Sequence, residues 1–452
     1  MTGDSTNDDV TNNDDVTNND DVTNNDDEQA ESNVASRRLP KEIYVLVAAA
    51  FIVALGYGII APVLPQFAAS FNFGVTAATI VVSSFAFFRF VFSPSSGRLV
   101  DAFGERRIYI TGLLIVAAST AAVAFAQSYW QLLIFRGLGG IGSTMFTVSA
   151  MALIIRLAPI DARAKASSTY ATAFLVGNIA GPVLGGAMAG WGMRVPFIIY
   201  AVGLLIAAIV VRIFLASTAE AGSSTKLGRA RLDAAKGDPE QEVMTFRQAW
   251  QDSAYRSALF SAFVQGWSAM GIRVAIYPLF AIQALKADTA VAGLALTMFA
   301  IGNASAVTVV GRYADTYGRK PFIQWGLLIL GVTTAALAFT DAIWVFFVFS
   351  IVAGIGSGLA NPAQQATVAD VIGRDRKGGR VLSRYQMALD GGAIVGPIIA
   401  GAIVDRFDYS WAFLLTGLLG VVAAAFWFTG RETKPRVVRT AERDERIEGD
   451  LN

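Results

Sequence analysis

The chain has 452 residues, of which 54% are hydrophobic and only 16% charged, with a mean hydropathy of +0.50. Soluble proteins carry about 25% charged residues, so this composition describes an integral membrane protein with hydrophilic ends, and an all-α one, since nothing in it alternates as barrel strands do. There is no cysteine and no histidine. That excludes disulfides, thiolate metal sites, iron–sulfur clusters, cysteine nucleophiles, a Ser-His-Asp triad and imidazole chemistry of any kind. Proton chemistry must run on carboxylates, Arg, Lys, Tyr or water. The net charge of +1 hides a split: residues 1–35 hold eleven Asp/Glu and no Lys or Arg, leaving about +12 for the rest.

Residues 1–40 form an acidic tail built on the hexapeptide TNNDDV. It has too little apolar surface to offset its ordering entropy, and disorder is expected. The Asp/Asn spacing lacks the glycine turn and bidentate Glu of a calcium loop. The first apolar run begins near Ile43, so span one is expected to be its own insertion signal rather than a cleaved leader.

A helix needs roughly 20 apolar residues to cross the hydrocarbon core. Twelve candidates follow, centred near residues 54, 87, 117, 141, 179, 205, 269, 300, 331, 353, 392 and 420. Several are rich in Gly and Pro, which membrane helices tolerate and use for close approach. With the N-terminus cytoplasmic, 30 of the 36 Lys/Arg fall in cytoplasmic segments; Arg194, Lys286 and Arg406 fall outside, and Arg89, Arg136 and Arg273 within spans. The positive-inside rule therefore predicts that both termini are cytoplasmic. The longest connection, about 216–255, separates a six-helix bundle at 41–215 from another at 256–430, with a cytoplasmic tail at 431–452. Its basic residues read as a solvated loop near anionic lipid, and nothing points to nucleic acid.

The two halves repeat. GRLVDAFGERR at 97–107 returns as GRYADTYGRKP at 311–321, GIGS at 140–143 as 354–357, and GNIAGPVLGG at 177–186 as GAIVGPIIAG at 392–401. The offsets are 214, 214 and 215. Parallel six-span repeats imply a pseudo-two-fold axis along the membrane normal and a substrate site between the halves near the midplane.

Gly97, Asp101, Gly104, Arg106 and Arg107 stand in a pattern that resembles the signature loop of the major facilitator superfamily. Gly311, Asp315, Gly318, Arg319 and Lys320 repeat it. The resemblance implies that these loops gate the cytoplasmic side. The first copy departs from the pattern, with Ala102 and Glu105 where basic residues are usual, which predicts a weakened or rewired lock. Span four places Arg136 in a segment similar to the family's second motif, for which proton coupling is implied. A mid-helix Arg costs ~3 kcal/mol and needs a partner or water. Its counterpart is Ser350.

Span five carries Gly177, Gly181, Pro182, Gly185 and Gly186, which match the motif of the superfamily's 12-helix drug:proton antiporters. The proline bends the helix, and the glycines offer a smooth packing face. This resemblance implies export. The same motif also reads as small-residue packing, since Gly396 and Pro397 inherit part of it.

Asp390 is the carboxylate placed inside the membrane: ten residues past Arg380, it sits roughly 15 Å along span eleven. Burial there disfavours its charged form, as a proton carrier requires, and Gln386 lies one turn below. A permanent structural pair with a buried Arg is the competing reading. Arg89 in span two (counterpart Asn303 in span eight) and Arg273 in span seven are each suited to pair Asp390 or to contact an anionic substrate. Tyr57, Asn178, Gln265, Trp267, Tyr277, Asn361 and Gln364 are candidate cavity residues. Span one holds no acid, unlike some polyspecific exporters of this class, so a preference for cationic drugs does not follow.

The expected protein is a secondary transporter of the plasma membrane of a prokaryote, monomeric, with a small-molecule substrate, protons and the lipid bilayer as partners. It would export an amphipathic solute by proton antiport, without cofactor other than the proton gradient. Uptake of a nutrient such as a sugar or amino acid, or a non-transporting sensor, are the alternatives. An enzyme is not expected, and no nucleotide loop is present.

Overall fold

The computed structural model describes residues 39–159, 162–215, 243–373, 376 and 378–434. The acidic repeat, the linker through 242, the tail from 435 and the Asp315 side chain lie outside the described residues. Among the described residues, twelve helices are long and apolar enough to cross a membrane. They are α1 (Lys41–Ile60), α2 (Gly74–Phe103), α3 (Glu105–Ala124), α4 (Tyr129–Leu157), α5 (Arg163–Met188) and α6 (Val195–Phe214). The second set is α7 (Ser253–Gln283), α8 (Thr289–Tyr317), α9 (Lys320–Ala336), α10 (Ile343–Ile372), α11 (Gly379–Arg406) and α12 (Tyr409–Phe426). An even number of spans brings both described ends to one side, called here the terminal side.

Local chemistry sets the helix ends. Asp252, Asp288 and Asp408 accept the N–H of Ala254, Val291 and Trp411 and so cap α7, α8 and α12. Gly104, Gly318 and Gly373 follow α2, α8 and α10 with φ of 83°, 100° and 79°, a conformation that only glycine adopts cheaply. The signature turn is thus short in each half: Gly97 lies inside α2 and Gly104 alone makes the first turn, while Gly318 and Arg319 make the second.

Packing repeats with the sequence. α1 packs on α5 and α7 on α11; α2 on α4 and α8 on α10; α3 on α4 and α6, and α9 on α10 and α12. The atomic detail repeats too. A Cβ on Gly140 would meet the Phe85 carbonyl at 2.3 Å, and one on its counterpart Gly354 would meet the Phe299 carbonyl at 2.1 Å. The halves meet along α2–α11 and α5–α8.

Among the described residues, the side-chain bonds between the halves lie at mid-span or toward the far side. Asp405, near the end of α11, accepts the backbone N–H of Val75 and Thr76 (both 2.8 Å) and the Thr76 hydroxyl (2.5 Å) at the start of α2. Thr289 donates to Gln66 at 2.8 Å, and Thr297 to the Ile179 carbonyl at 3.1 Å. Toward the terminal side, Ser95, Ser305, Thr308, Ser383 and Arg384 are exposed, and a Cβ on Gly97 or Gly379 would meet nothing. The structure is closed on the far side and open on the terminal side.

Candidate transport site and gates

Asp390 and Arg89 meet across the halves. Arg89 Nη2 donates to Asp390 Oδ1 at 3.2 Å, and Gln386 Nε2 donates to the same oxygen at 3.3 Å. Asp390 lies eleven residues into α11 and Arg89 fifteen into α2, so the pair sits near mid-membrane. The carboxylate is the more enclosed member, 17% exposed against 39% for the arginine. The next residue of α11, Gly391, has open space beside it, and a Cβ there would meet nothing within 4 Å.

Arg136 lies above this pair toward the far side, 7% exposed, with its guanidinium carbon 4.2 Å from the Phe85 ring centre and 5.9 Å from that of Tyr57. Arg273 stacks at 4.7 Å on Phe299, and its Nε donates to the Ala269 carbonyl at 2.8 Å. Ala269 belongs to a π-helical turn, Gly266–Ile272, in the middle of α7. Such turns are frequent at functional sites. This one packs on α11 beside Asp390: a Cβ on Gly266 would meet the Leu389 carbonyl at 1.8 Å.

The other expected cavity residues divide. Gln265 and Asn303 both donate to Ser357 Oγ, at 2.6 and 3.2 Å, and Tyr385 donates to Gln364 at 3.4 Å, forming a polar cluster within the second half. Gln265 Oε1 and Gln364 Nε2 are buried without a partner. Trp267 is buried in the packing of that half, its indole N–H on Thr416 at 3.1 Å. Asn178 and Asn361 bond within their own helices, to Phe174 and Gln365.

The span-five glycines are contact points. Cβ atoms on Gly177, Gly181 and Gly185 would fall 2.8, 2.5 and 2.0 Å from atoms of Ala54, Leu55 and Ile59 in α1. Gly58 in turn faces Pro182. Gly186 faces Ala290 of α8, across the halves, and its counterpart Gly401 faces Thr76 of α2.

The signature loops tie helices together on the terminal side. Arg106 donates to the Arg212 carbonyl at the end of α6 at 2.8 Å; its counterpart Lys320 donates to the Gly430 carbonyl after α12 at 2.8 Å. Glu105 pairs with Arg156 at 2.8 Å and Arg319 with Asp370 at 3.0 Å. Asp101 and Arg107 are exposed. Glu432 accepts the backbone N–H of Arg319 and Lys320, both at 3.0 Å. Burial pushes its carboxyl up. The backbone N–H groups of Arg319, Lys434, Lys320 and Thr433 outweigh this and hold it below the ordinary glutamate range.

Sequence reasoning missed Asp405 as the long-range cap of α2. One local signal pointed there: α2 starts after Phe73, with no side chain of its own to cap it. Two lateral grooves also escaped notice. One, of about 360 Å³, lies between α2, α4 and α11 against Phe87, Leu138 and Ile394; the other, of about 190 Å³, lies between α1 and α6. Neither is lined by Asp390 or the three arginines.

Two six-helix bundles related by repeat, joined by a mid-membrane ion pair and open on one side, define a multi-pass membrane transporter. The Major Facilitator Superfamily profile matches residues 46–272 and again 258–448, and the chain belongs to that family, one of small-molecule transporters rather than enzymes. Among named relatives, the Quinolone resistance protein NorA of Staphylococcus aureus (strain MRSA252) is 26% identical over 386 residues, 84% of this chain and 95% of the relative. Multidrug resistance protein 2 of Bacillus subtilis (strain 168) is 25% identical over 406 residues, 86% and 95% of the two chains. A bacterial homolog of the human lysosomal transporter Spinster, inward-facing and unoccupied, shares the fold with a TM-score of 0.71 at 18% identity, covering 86% of this chain and 97% of that one. A POT family transporter in complex with 5-aminolevulinic acid gives 0.70 at 10% identity, covering 88% and 97%.

Proposed function

We propose that the protein exports a small amphipathic solute across a prokaryotic plasma membrane by proton antiport, with both termini cytoplasmic and Asp390 as the proton-carrying carboxyl. The observation that carries this reading is the Arg89–Asp390 pair joining α2 to α11 at mid-membrane. The pair needs an ionised carboxyl, so on this reading the terminal-side-open state is the one that has released its proton. Protonation of Asp390 frees Arg89 and loosens the seam between the halves. A ligand that favours one state of the seam is then coupled to the proton thermodynamically. Export rather than uptake is supported by the span-five motif and by relatives named for drug resistance.

The test uses inverted membrane vesicles with an acid interior and a pH-sensitive dye, challenged with drugs, sugars and amino acids. The expected result is that one class of compound discharges the gradient with wild type and not with Asp390→Asn. Equal discharge by both proteins removes Asp390 from the coupling. Transport of a sugar or amino acid toward the terminal side would replace export by uptake.

A further inference from the structure

Arg136 and Arg273 reach the middle of the protein from opposite halves and take equivalent seats. Phe85, under Arg136, and Phe299, under Arg273, are the same position of the repeat, 214 residues apart. The arginines are not repeat counterparts: one comes from α4 and the other from α7. Two different helices thus deliver a guanidinium to the matching ring in each half. Tyr57 of α1 lies within electrostatic range of both. The π turn aims Arg273, since the Ala269 carbonyl that it presents is the one Arg273 Nε holds.

The charges at this depth do not balance. Arg89, Arg136, Arg273 and Asp390 are the charged residues lying more than six positions from both ends of a span. Asp390 is taken by Arg89. Arg136 is nine-tenths buried, and its Nε has no hydrogen-bond partner. The sequence offers no second mid-span carboxylate for Arg136 or Arg273. A buried cation without a counter-ion is costly, and an aromatic face offsets only part of that cost. Guanidinium is also the group best shaped to hold a carboxylate through paired N–H donors.

We infer that Arg136 and Arg273 form a two-armed anion site, one arm from each half, that takes the carboxylate of an amphipathic organic acid. Phe85, Phe299 and Tyr57 receive the apolar body of that ligand. The inference deepens the transport reading and rests on it for the ligand's fate, but the binding step stands alone. The site spans the halves, so an anion held by both arms favours the state in which Phe85 and Phe299 are close.

Three dyes with one fluorophore and different charge test the inference on the purified full chain: dansylglycine (anionic), dansylamide (neutral) and dansylcadaverine (cationic). Dansylglycine should bind at least tenfold tighter than the other two. Arg136→Gln and Arg273→Gln should each weaken it at least tenfold while leaving dansylamide within twofold. If the Gln variants do not fold, Arg136→Lys and Arg273→Lys carry the test: they keep the charge, lose the fork, and should keep the anion preference at severalfold lower affinity. Any order in which the anion is not first, no binding included, or a parallel loss of all three dyes in the variants, overturns the site. The two readings fail separately in the vesicle assay. Gradient discharge by the cationic dye alone keeps export and removes the anion site. Anion binding without discharge by any dye keeps the site and removes proton-coupled export.

Discussion

Arg156 Nη1 lies 2.8 Å from Glu105 Oε2 where α4 ends and α3 begins, and this pair is the charge-reversed image of Arg319–Asp370 in the other half. Glu105 and Arg319 are one repeat position, as are Arg156 and Asp370, at the offset of 214. The bridge is therefore kept in both halves although the residues have exchanged signs. The irregular Glu105 of the first signature loop thus keeps the ion pair, with its signs exchanged.

The exchange predicts a charge-swap rescue. Glu105→Arg or Arg156→Asp alone sets like charges together, costing about 1–3 kcal/mol for the loss of a partly buried charged hydrogen bond. Transport should fall severalfold in each single variant. The double variant, which gives the first half the signs of the second, should recover most of the loss. Initial transport rates in vesicles, normalised to protein amount, check this.

Asp405 closes the far side by capping α2 from the opposite half. Loss of an N-cap costs about 0.5–2 kcal/mol, here charged against one conformation only. Asp405→Ala should therefore shift the protein toward opening on the far side. The chain has no cysteine, so a single cysteine is a clean reporter. Thr79, fully buried beside Gly401, replaced by Cys, should react with a membrane-impermeant maleimide from the far side several times faster in Asp405→Ala than in its absence. Unchanged labelling removes Asp405 from the gate.

Gly185 lets α5 lie on α1, and an added methyl would fall 2.0 Å from the Ile59 carbonyl oxygen. Backbone cannot swing aside as a side chain does. Gly185→Ala should cost about 1–3 kcal/mol by overpacking, visible as a lower melting temperature in detergent. Gly190→Ala, where a Cβ meets nothing, should leave it unchanged.

Glu432 supplies a pH dependence with a defined sign. Its folded-state pKa is depressed, so its contribution to stability is present above the unfolded value of about 4.3 and is lost as pH falls through the lower, folded value. Glu432→Gln should remove that dependence, leaving the amides of Arg319 and Lys320 less protected at neutral pH. Hydrogen exchange at those two amides, followed across pH with correction for the intrinsic rate, reads it directly.

The span count and the halves were legible because hydropathy and a repeat at one offset are local, one-dimensional signals. The signature loops and the span-five glycines were legible as motifs, and Gln386 below Asp390 followed from helical spacing. The choice of Arg89 over Arg273 as partner of Asp390 was not. It depends on how α2 meets α11, three hundred residues away in the chain. The role of Asp405 was not legible either, because nothing in the sequence near 405 points to residue 75. The shared seat of Arg136 and Arg273 was hidden for another reason. The arginines occupy different repeat positions, and only their phenylalanine platforms correspond.

Whether Asp390 links the proton to the solute is tested most directly with purified protein in liposomes. With a solute found in the vesicle screen, two modes are compared: uphill accumulation driven by an imposed pH gradient, and counterflow exchange with no gradient. Wild type should do both. Asp390→Asn should lose uphill accumulation and retain counterflow, because a permanently neutral side chain still allows the halves to rock but carries no proton. An Asp390→Asn protein that still concentrates the solute against its gradient would contradict the account.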